Sequence, residues 1–142
     1  MSKSLSLKFL SSAIVIGATF ILAANARAAQ LVMFEQAGCE WCAAFDKQIA
    51  PIYAKTEEGL RAPLRRVDID RPVPPDLAFV QIERITPLFV LVDKGREIGR
   101  IRGYPGPESF WTQLSMLFDN LNAVGTAGER TQVFEKQFHA FD

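Results

Sequence analysis

The stretch Gly38-Cys39-Glu40-Trp41-Cys42 decides the fold, because it joins two segments of different hydrophobic periodicity. The segment before it, residues 30–34 (QLVMF), is an apolar run with β-forming residues and predicts a buried strand. In the segment after it, apolar residues recur at helical spacing: Phe45, Ile49, Ile52 and Tyr53. They predict an amphipathic helix that runs to about Thr56, is kinked at Pro51 and stops before Gly59.

The two cysteines therefore lie where a helix begins directly after a strand. A helix N-terminus carries partial positive charge and unpaired N–H groups, which favour the thiolate, the attacking form of cysteine. Cys39 at the helix tip is predicted to be the nucleophile, and Cys42, about one turn further on, the resolving thiol. A bridge between them closes almost no loop and would stabilise little, which argues for a redox role.

A metal-binding role for the same pair is the main alternative, because a C-x-x-C is also half of many zinc sites. The chain has two cysteines and one histidine, His139, so a second half is missing. We therefore predict no metal and no cofactor other than the Cys39–Cys42 disulfide. A binding module or thiol chaperone without turnover stays open.

The first residues have the pattern of a secretory signal. Lys3 and Lys8 precede an uncharged run from Phe9 to Ala24, and small residues follow it up to Ala29. That run is shorter than the roughly 20 residues of a spanning helix, which favours a cleaved signal over an anchor. We expect residues 1–28 to be the signal peptide, cleaved near Ala28, and the protein to be periplasmic, where disulfides persist.

Charge excludes some partners. The chain balances 16 basic against 16 acidic residues, and removing Lys3, Lys8 and Arg27 leaves 13 against 16. A mildly acidic protein lacks the basic surface that nucleic acid requires, and it is equally unsuited to an anionic membrane surface.

The remaining chain is long enough for one domain, expected at residues 29–122. Further elements are predicted from periodicity and turn residues: strands at 64–69, 88–92 and 97–102 and helices at 76–84 and 108–121, in the overall order β-α-β-α-β-β-α. In the 76–84 helix, Leu77, Phe79, Val80 and Ile82 are expected to be partly buried.

Small polar residues predict a linker at 122–128, and the tail at 123–142 could end in a short packed helix at 130–141. Arg65-Arg66 is interpreted as a solvated pair.

These segments resemble the thioredoxin family over residues 31–121. The resemblance is carried by Leu31-Val32-Met33-Phe34, Cys39-Glu40-Trp41-Cys42, Ile49-Ala50-Pro51-Ile52, Val67-Asp68-Ile69-Asp70, Ile85-Thr86-Pro87-Leu88-Phe89-Val90, Lys94-Gly95-Arg96 and Gly103. Within the family the chain is most similar to the small exported thioredoxins of bacterial sulfur-oxidation systems. The resemblance implies an α/β, thioredoxin-like fold with a central mixed β-sheet flanked by helices.

The resemblance also implies a substrate-binding surface. It implies a cis Pro87 beside the redox pair, so that the backbone of Thr86 can pair with an extended peptide. It places Trp41, Gly103 and Tyr104 in substrate-facing positions, although Tyr104 could equally be an ordinary surface or core residue. One departure concerns the family's buried acid, which is replaced here by Met33.

The function expected from these observations is disulfide reduction in exported proteins, with electrons from a membrane thiol carrier. Glu40 replaces a neutral family residue, and its charge opposes thiolate formation at Cys39. A less stable thiolate makes a weaker oxidant, which favours a reductase over an oxidase or isomerase. The expected partners are periplasmic protein disulfides, and the expected oligomeric state is a monomer.

Overall fold

The computed structural model describes residues 28–138, and the side chains of residues 28–131. Four strands and four α-helices follow one another along this part of the chain: β1 (Gln30–Glu35), α1 (Glu40–Gln48), α2 (Ala50–Tyr53), α3 (Glu57–Arg61), β2 (Leu64–Asp68), β3 (Leu88–Asp93), β4 (Arg96–Arg102) and α4 (Pro107–Phe138). A single 3-10 turn covers Pro75–Leu77.

The four strands form one mixed sheet in the order β2-β1-β3-β4. β1 pairs with β2 in parallel, while β3 is antiparallel to both β1 and β4. The first five residues of β3 are buried because β3 has a neighbour on both sides and is covered on both faces. β4 lies at the edge, as its polar sequence predicts, and the predicted mixed sheet flanked by helices is confirmed.

Alternating residues of the central strands face two separate cores. Leu31 and Met33 of β1 face a core shared with α1 and α4, whereas Val32 and Phe34 face a smaller core on the other side of the sheet. The larger core is rich in aromatic rings, and Phe45 of α1 contacts three of them: Phe89, Tyr104 and Phe110. This packing fixes α1, and with it the cysteine pair, against the sheet.

The helix after the cysteines is interrupted for one residue beside Pro51, where a kink was predicted. α1 ends at Gln48, Ile49 has right-handed helical angles with a wide φ of −116°, and α2 starts with Pro51 in its first turn. Proline lacks an N–H and clashes with the carbonyl four residues back, which accounts for the interruption at this point. Ile52, which belongs to the apolar spacing of this helix, is 48% exposed.

Gly59 lies inside α3 rather than beyond a helix end. A Cβ atom at this position would lie 1.8 Å from the carbonyl oxygen of Tyr53. Glycine is therefore required here by the close approach of α3 to the end of α2.

The predicted helix at 76–84 was wrong, since only Pro75–Leu77 forms a 3-10 turn. The segment is instead connected to β4, where Arg100 donates a hydrogen bond to the Gln81 carbonyl. Leu77 and Val80 are buried as expected, but Phe79 is 42% exposed.

The predicted linker at 122–128 was also wrong, because α4 continues without a break through this segment. Strong helix formers such as Ala123 and Ala127 offset the roughly 1 kcal/mol cost of each glycine there. Nearly all side chains of residues 122–131 are exposed. His139 and the packing of the last phenylalanines lie outside the described residues. Among residues 28–138, no helix combines the length and apolar character needed to cross a bilayer.

Candidate active site

A tight turn at the end of β1 delivers the cysteines to the start of α1. Gly38 has φ +76°, a conformation that other residues rarely adopt, and this allows the chain to reverse within three residues after Glu35. Cys39 is then the N-cap residue of α1, with extended backbone angles. The sequence therefore placed the pair correctly, although α1 begins at Glu40.

Cys39 and Cys42 form a disulfide with an S–S distance of 2.08 Å. The two sulfurs differ in environment. Cys39 is partly exposed at the helix tip, whereas Cys42 is 5% exposed and belongs to the larger core. Only the first cysteine is accessible to a large partner.

The sulfur of Cys39 takes the place of a conventional N-cap oxygen. It accepts a hydrogen bond from the backbone N–H of Cys42 at 3.1 Å. A backbone donor at a helix N-terminus favours negative charge on the sulfur in the reduced protein. Glu40, in the first turn of the same helix, is exposed and adds a like charge beside Cys39.

Strand pairing brings two further loops to the same end of the sheet as the cysteines. Leu88, at the start of β3, pairs with Phe34 near the end of β1 and with Arg102 at the end of β4. The segment before β3 and the loop after β4 therefore meet beside the end of β1. The Thr86–Pro87 peptide bond is cis, as the resemblance implied.

The predicted substrate-facing residues differ in exposure. Trp41 is 62% exposed, Thr86 and Gly103 are half-buried, and Pro87 is buried. Tyr104 is 4% exposed, so its side chain does not present itself to a partner.

The alternative interpretation of Tyr104 as a core residue is the one that fits its contacts. Its ring packs against Phe45 and Phe110, and its hydroxyl donates to Gln48 Oε1 at 2.7 Å. Burial raises the pKa of this tyrosine above its ordinary value.

A cleft of about 570 Å³ opens beside the disulfide, between α1 and the ends of β1 and β2. The cleft is lined by Glu35, Gln36, Ala37, Gly38, Cys39, Glu40, Cys42, Ala43, Asp46 and Asp68. Four of these ten residues are carboxylates, and two are the cysteines. Met33 is fully buried in the same core as Cys42, so the strand position that carries an acid in the resembling family is apolar here.

Arg66 is exposed, in agreement with its interpretation as part of a solvated pair, but its partners beside the cleft were missed from the sequence. Its guanidinium bonds Glu35 at 2.5 Å and also bonds Asp46, two of the carboxylates of the cleft. Burial works against the charged guanidinium, but Asp46 and Glu35 raise its pKa above the ordinary arginine value. No local signal predicted these contacts, because Arg66 of β2 is 31 positions from Glu35 and 20 from Asp46.

The carboxylates of this region do not assemble a metal centre. Within the side chains that the structure describes, no group of three or more His, Cys, Asp or Glu residues could hold a metal ion. The arrangement supports the chemistry of its two sulfurs: a disulfide that can open, an exposed thiol at a helix tip and a buried thiol behind it.

The chain belongs to the thioredoxin-like domain family, whose profile matches residues 17–117. With its Cys39–Cys42 pair it is a thiol–disulfide oxidoreductase of that family. The reduced form of the periplasmic thioredoxin SoxS from Paracoccus pantotrophus is 43% identical, with a TM-score of 0.63, and the match covers 66% of this chain and 98% of that one. A thioredoxin from Malassezia sympodialis is 20% identical with a TM-score of 0.46, over 62% of this chain and 73% of that one. No curated protein sequence matched.

Proposed function

We propose that this protein is an exported reductase that opens disulfides, or unblocks cysteines, of periplasmic partner proteins. Cys39 is the nucleophile and Cys42 the resolving thiol. The observation that carries these roles is the difference between the two sulfurs: Cys39 is accessible and accepts the amide hydrogen bond of Cys42, while Cys42 is 5% exposed.

The proposed reaction has two thiol–disulfide exchanges. The Cys39 thiolate attacks one sulfur of the partner's disulfide, which forms a mixed disulfide and releases the other sulfur as a thiolate. Cys42, deprotonated, then attacks the sulfur of Cys39, which closes the Cys39–Cys42 disulfide and releases the partner's second thiol. Two electrons pass to the partner, and two must return from a thiol donor.

The partner is held as an extended peptide across the end of the sheet that carries the cysteines. The backbone of Thr86 pairs with it, Pro87 and Gly103 shape the floor beside Cys39, and Trp41 offers apolar contact. The partial exposure of Thr86 and the exposed Trp41 side chain support this arrangement. Peptide addition at a free backbone segment is an established route to affinity without a deep pocket.

Localisation and partners complete the proposal. The signal pattern of residues 1–28, which lies almost wholly outside the described residues, and the likeness to a periplasmic thioredoxin support export. Cytosolic reductants cannot reach an exported protein, so its electron donor is a membrane thiol carrier. The resemblance to thioredoxins of sulfur-oxidation systems points to partners in that machinery, with the protein acting as a monomer and without nucleic acid.

The test is trapping with the Cys42→Ser variant in a periplasmic extract. Without the resolving thiol, partners should accumulate as mixed disulfides on Cys39 that dithiothreitol releases. Cys39→Ser is the matched control and should trap none. Absence of adducts on Cys42→Ser would favour the binding-module alternative.

The direction of electron flow is tested separately by equilibration in dithiothreitol buffers. A reductase should have a midpoint nearer the roughly −270 mV of thioredoxin than the roughly −120 mV of a strong periplasmic oxidant. A midpoint near the second value would replace the reductase assignment with an oxidase.

A further inference from the structure

The segment that carries Thr86 has little regular structure of its own. Residues 81–87 form neither helix nor strand. Within residues 81–86, which the structure describes in full, no backbone-to-backbone hydrogen bond holds the chain in place. Something other than secondary structure must set the path of this segment.

An ion-pair cluster on β4 supplies that support. The Glu83 carboxylate accepts two hydrogen bonds from Arg102, both at 2.7 Å, and one from Arg100 at 2.6 Å. Arg100 also donates to the carbonyl oxygen of Gln81 at 3.0 Å. On its other side the Arg100 guanidinium is bound in a two-bond contact by Glu97 of the same strand.

The cluster has the features that make a surface ion pair effective. Isolated exposed pairs contribute little, but bidentate geometry and networks are the exception. The Arg100 side chain is 15% exposed and Glu83 is 27% exposed, so solvent screens this pair less than a pair in open water, whereas Arg102 is 57% exposed. Two guanidinium groups on one carboxylate leave Glu83 few alternative positions.

The ion-pair cluster is joined, through adjacent residues, to the end of the sheet that carries the cysteines. Arg102 is followed by Gly103, whose N–H donates to the carbonyl oxygen of Pro87 at 2.8 Å. The segment is thus attached at Glu83 to the last residues of β4 and at Pro87 to Gly103, the residue that follows β4. Thr86 lies between these two attachment points.

We propose that Glu83 is a positioning residue for partner recognition: clamped between Arg100 and Arg102, it sets the path of residues 83–87 and so the backbone that Thr86 presents to a partner peptide. This inference rests on the proposed role of Thr86. Glu83 touches neither the partner nor the sulfurs, so it acts on protein substrates and leaves the intrinsic chemistry of Cys39 unchanged.

The test compares Glu83→Ala with Glu97→Ala, using insulin as the protein disulfide and Ellman's reagent as the small one. Glu97→Ala is the matched control, since it removes a carboxylate from the same Arg100 guanidinium but not the tie to residues 81–87. Misplacement of a binding element can lower the rate by up to about a hundredfold. For Glu83→Ala we expect about a tenfold loss of kcat/KM for insulin, chiefly through KM.

In Glu83→Ala the rate with Ellman's reagent should stay within about twofold of the wild-type rate, and the midpoint potential should be unchanged. Glu83→Asp, which keeps the charge, should recover part of the loss. Equal losses with both substrates, an unchanged insulin rate, or an equal loss in Glu97→Ala would each overturn the positioning role.

Failure of the proposed function would look different. A wild-type protein that oxidises reduced peptides but does not reduce insulin would refute the reductase assignment. The same three variants would then be compared in the oxidising direction, where a selective loss in Glu83→Ala supports the positioning role and its absence overturns it. A wild type that exchanges with proteins in neither direction would overturn both proposals.

Discussion

The backbone N–H of Cys42 donates a hydrogen bond to the sulfur of Cys39 across 3.1 Å. Because the donor belongs to the main chain, a side-chain substitution at position 42 does not delete it. Cys42→Ser therefore removes the resolving thiol while it retains a helix N-terminal donor for Cys39, which makes it a clean trapping variant.

Cys39 should react before Cys42 when the reduced protein is briefly alkylated. The reason is access, since Cys42 is 5% exposed and Cys39 lies at the helix tip. Peptide mass mapping after short labelling measures the order. Labelling of Cys42 first would reverse the proposed roles.

Glu40→Gln should accelerate alkylation of Cys39 at neutral pH by about twofold to fivefold. The substitution removes a negative charge one residue from the thiolate, and an exposed charge at this distance contributes only modestly. Glu57→Gln is the control, because Glu57 occupies the same first-turn position in α3 and is also exposed. An unchanged rate in Glu40→Gln would show that Glu40 does not tune the site.

Gly59→Ala should destabilise the protein by about 1–3 kcal/mol, because the new Cβ would overlap the Tyr53 carbonyl and force α2 and α3 apart. Gly125→Ala is the matched control. It lies in exposed α4 with no atom within 4 Å of its Cβ position, and should stabilise by up to about 1 kcal/mol. Urea unfolding of both variants decides between the close approach and a general glycine effect.

Tyr104→Phe should leave insulin reduction unchanged and cost about 0.5–1.5 kcal/mol of stability, the usual net contribution of one hydrogen bond. The hydroxyl lost is the one that donates to Gln48, while the ring stays in the core. Tyr104→Ala should cost about 3–5 kcal/mol, because it leaves a cavity beside Phe45 and Phe110. A selective loss of activity in Tyr104→Phe would restore a substrate-facing role.

Acid stability should depend on Glu83. Hydrogen bonds from Arg102 and then Arg100 lower its pKa from 4.5 to about 2. A carboxylate whose pKa is depressed on folding stabilises the native state above its unfolded pKa, so this contribution is lost as pH falls from about 4.5 to about 2. Glu97 also forms an ion pair with Arg100, and it is present both in the wild type and in the Glu83 variant compared below.

Urea midpoints measured across this pH window should fall less steeply for Glu83→Gln than for the wild type. Glu57→Gln, an exposed carboxylate of α3, should run parallel to the wild type. Parallel curves for Glu83→Gln would mean that the ion-pair cluster forms equally in the unfolded chain or contributes nothing.

Local sequence was sufficient for the strands, the sheet class and the placement of the cysteines. The apolar run in β3 and the Lys94-Gly95 turn to β4 are short-range signals, and a C-x-x-C between a strand and a helix has one simple geometry. The interruption of the first helix was also predictable locally, because Pro51 lacks the N–H of a helical hydrogen bond and kinks or breaks a helix.

Tertiary contacts alone decided the rest. Residues 76–84 have helical spacing, yet only Pro75–Leu77 forms a 3-10 turn. The rest of this segment is bound through Gln81 to Arg100, 19 positions away, and no local pattern contains that bond. Arg66 looked like half of a solvated pair until strand pairing set it between Glu35 and Asp46. Tyr104 could be surface or core by sequence, and its packing against the ring of Phe45 in α1 made it core. Periodicity reports which face of an element is apolar, but partners for charged and aromatic side chains come from distant parts of the chain, and only the folded structure brings them together.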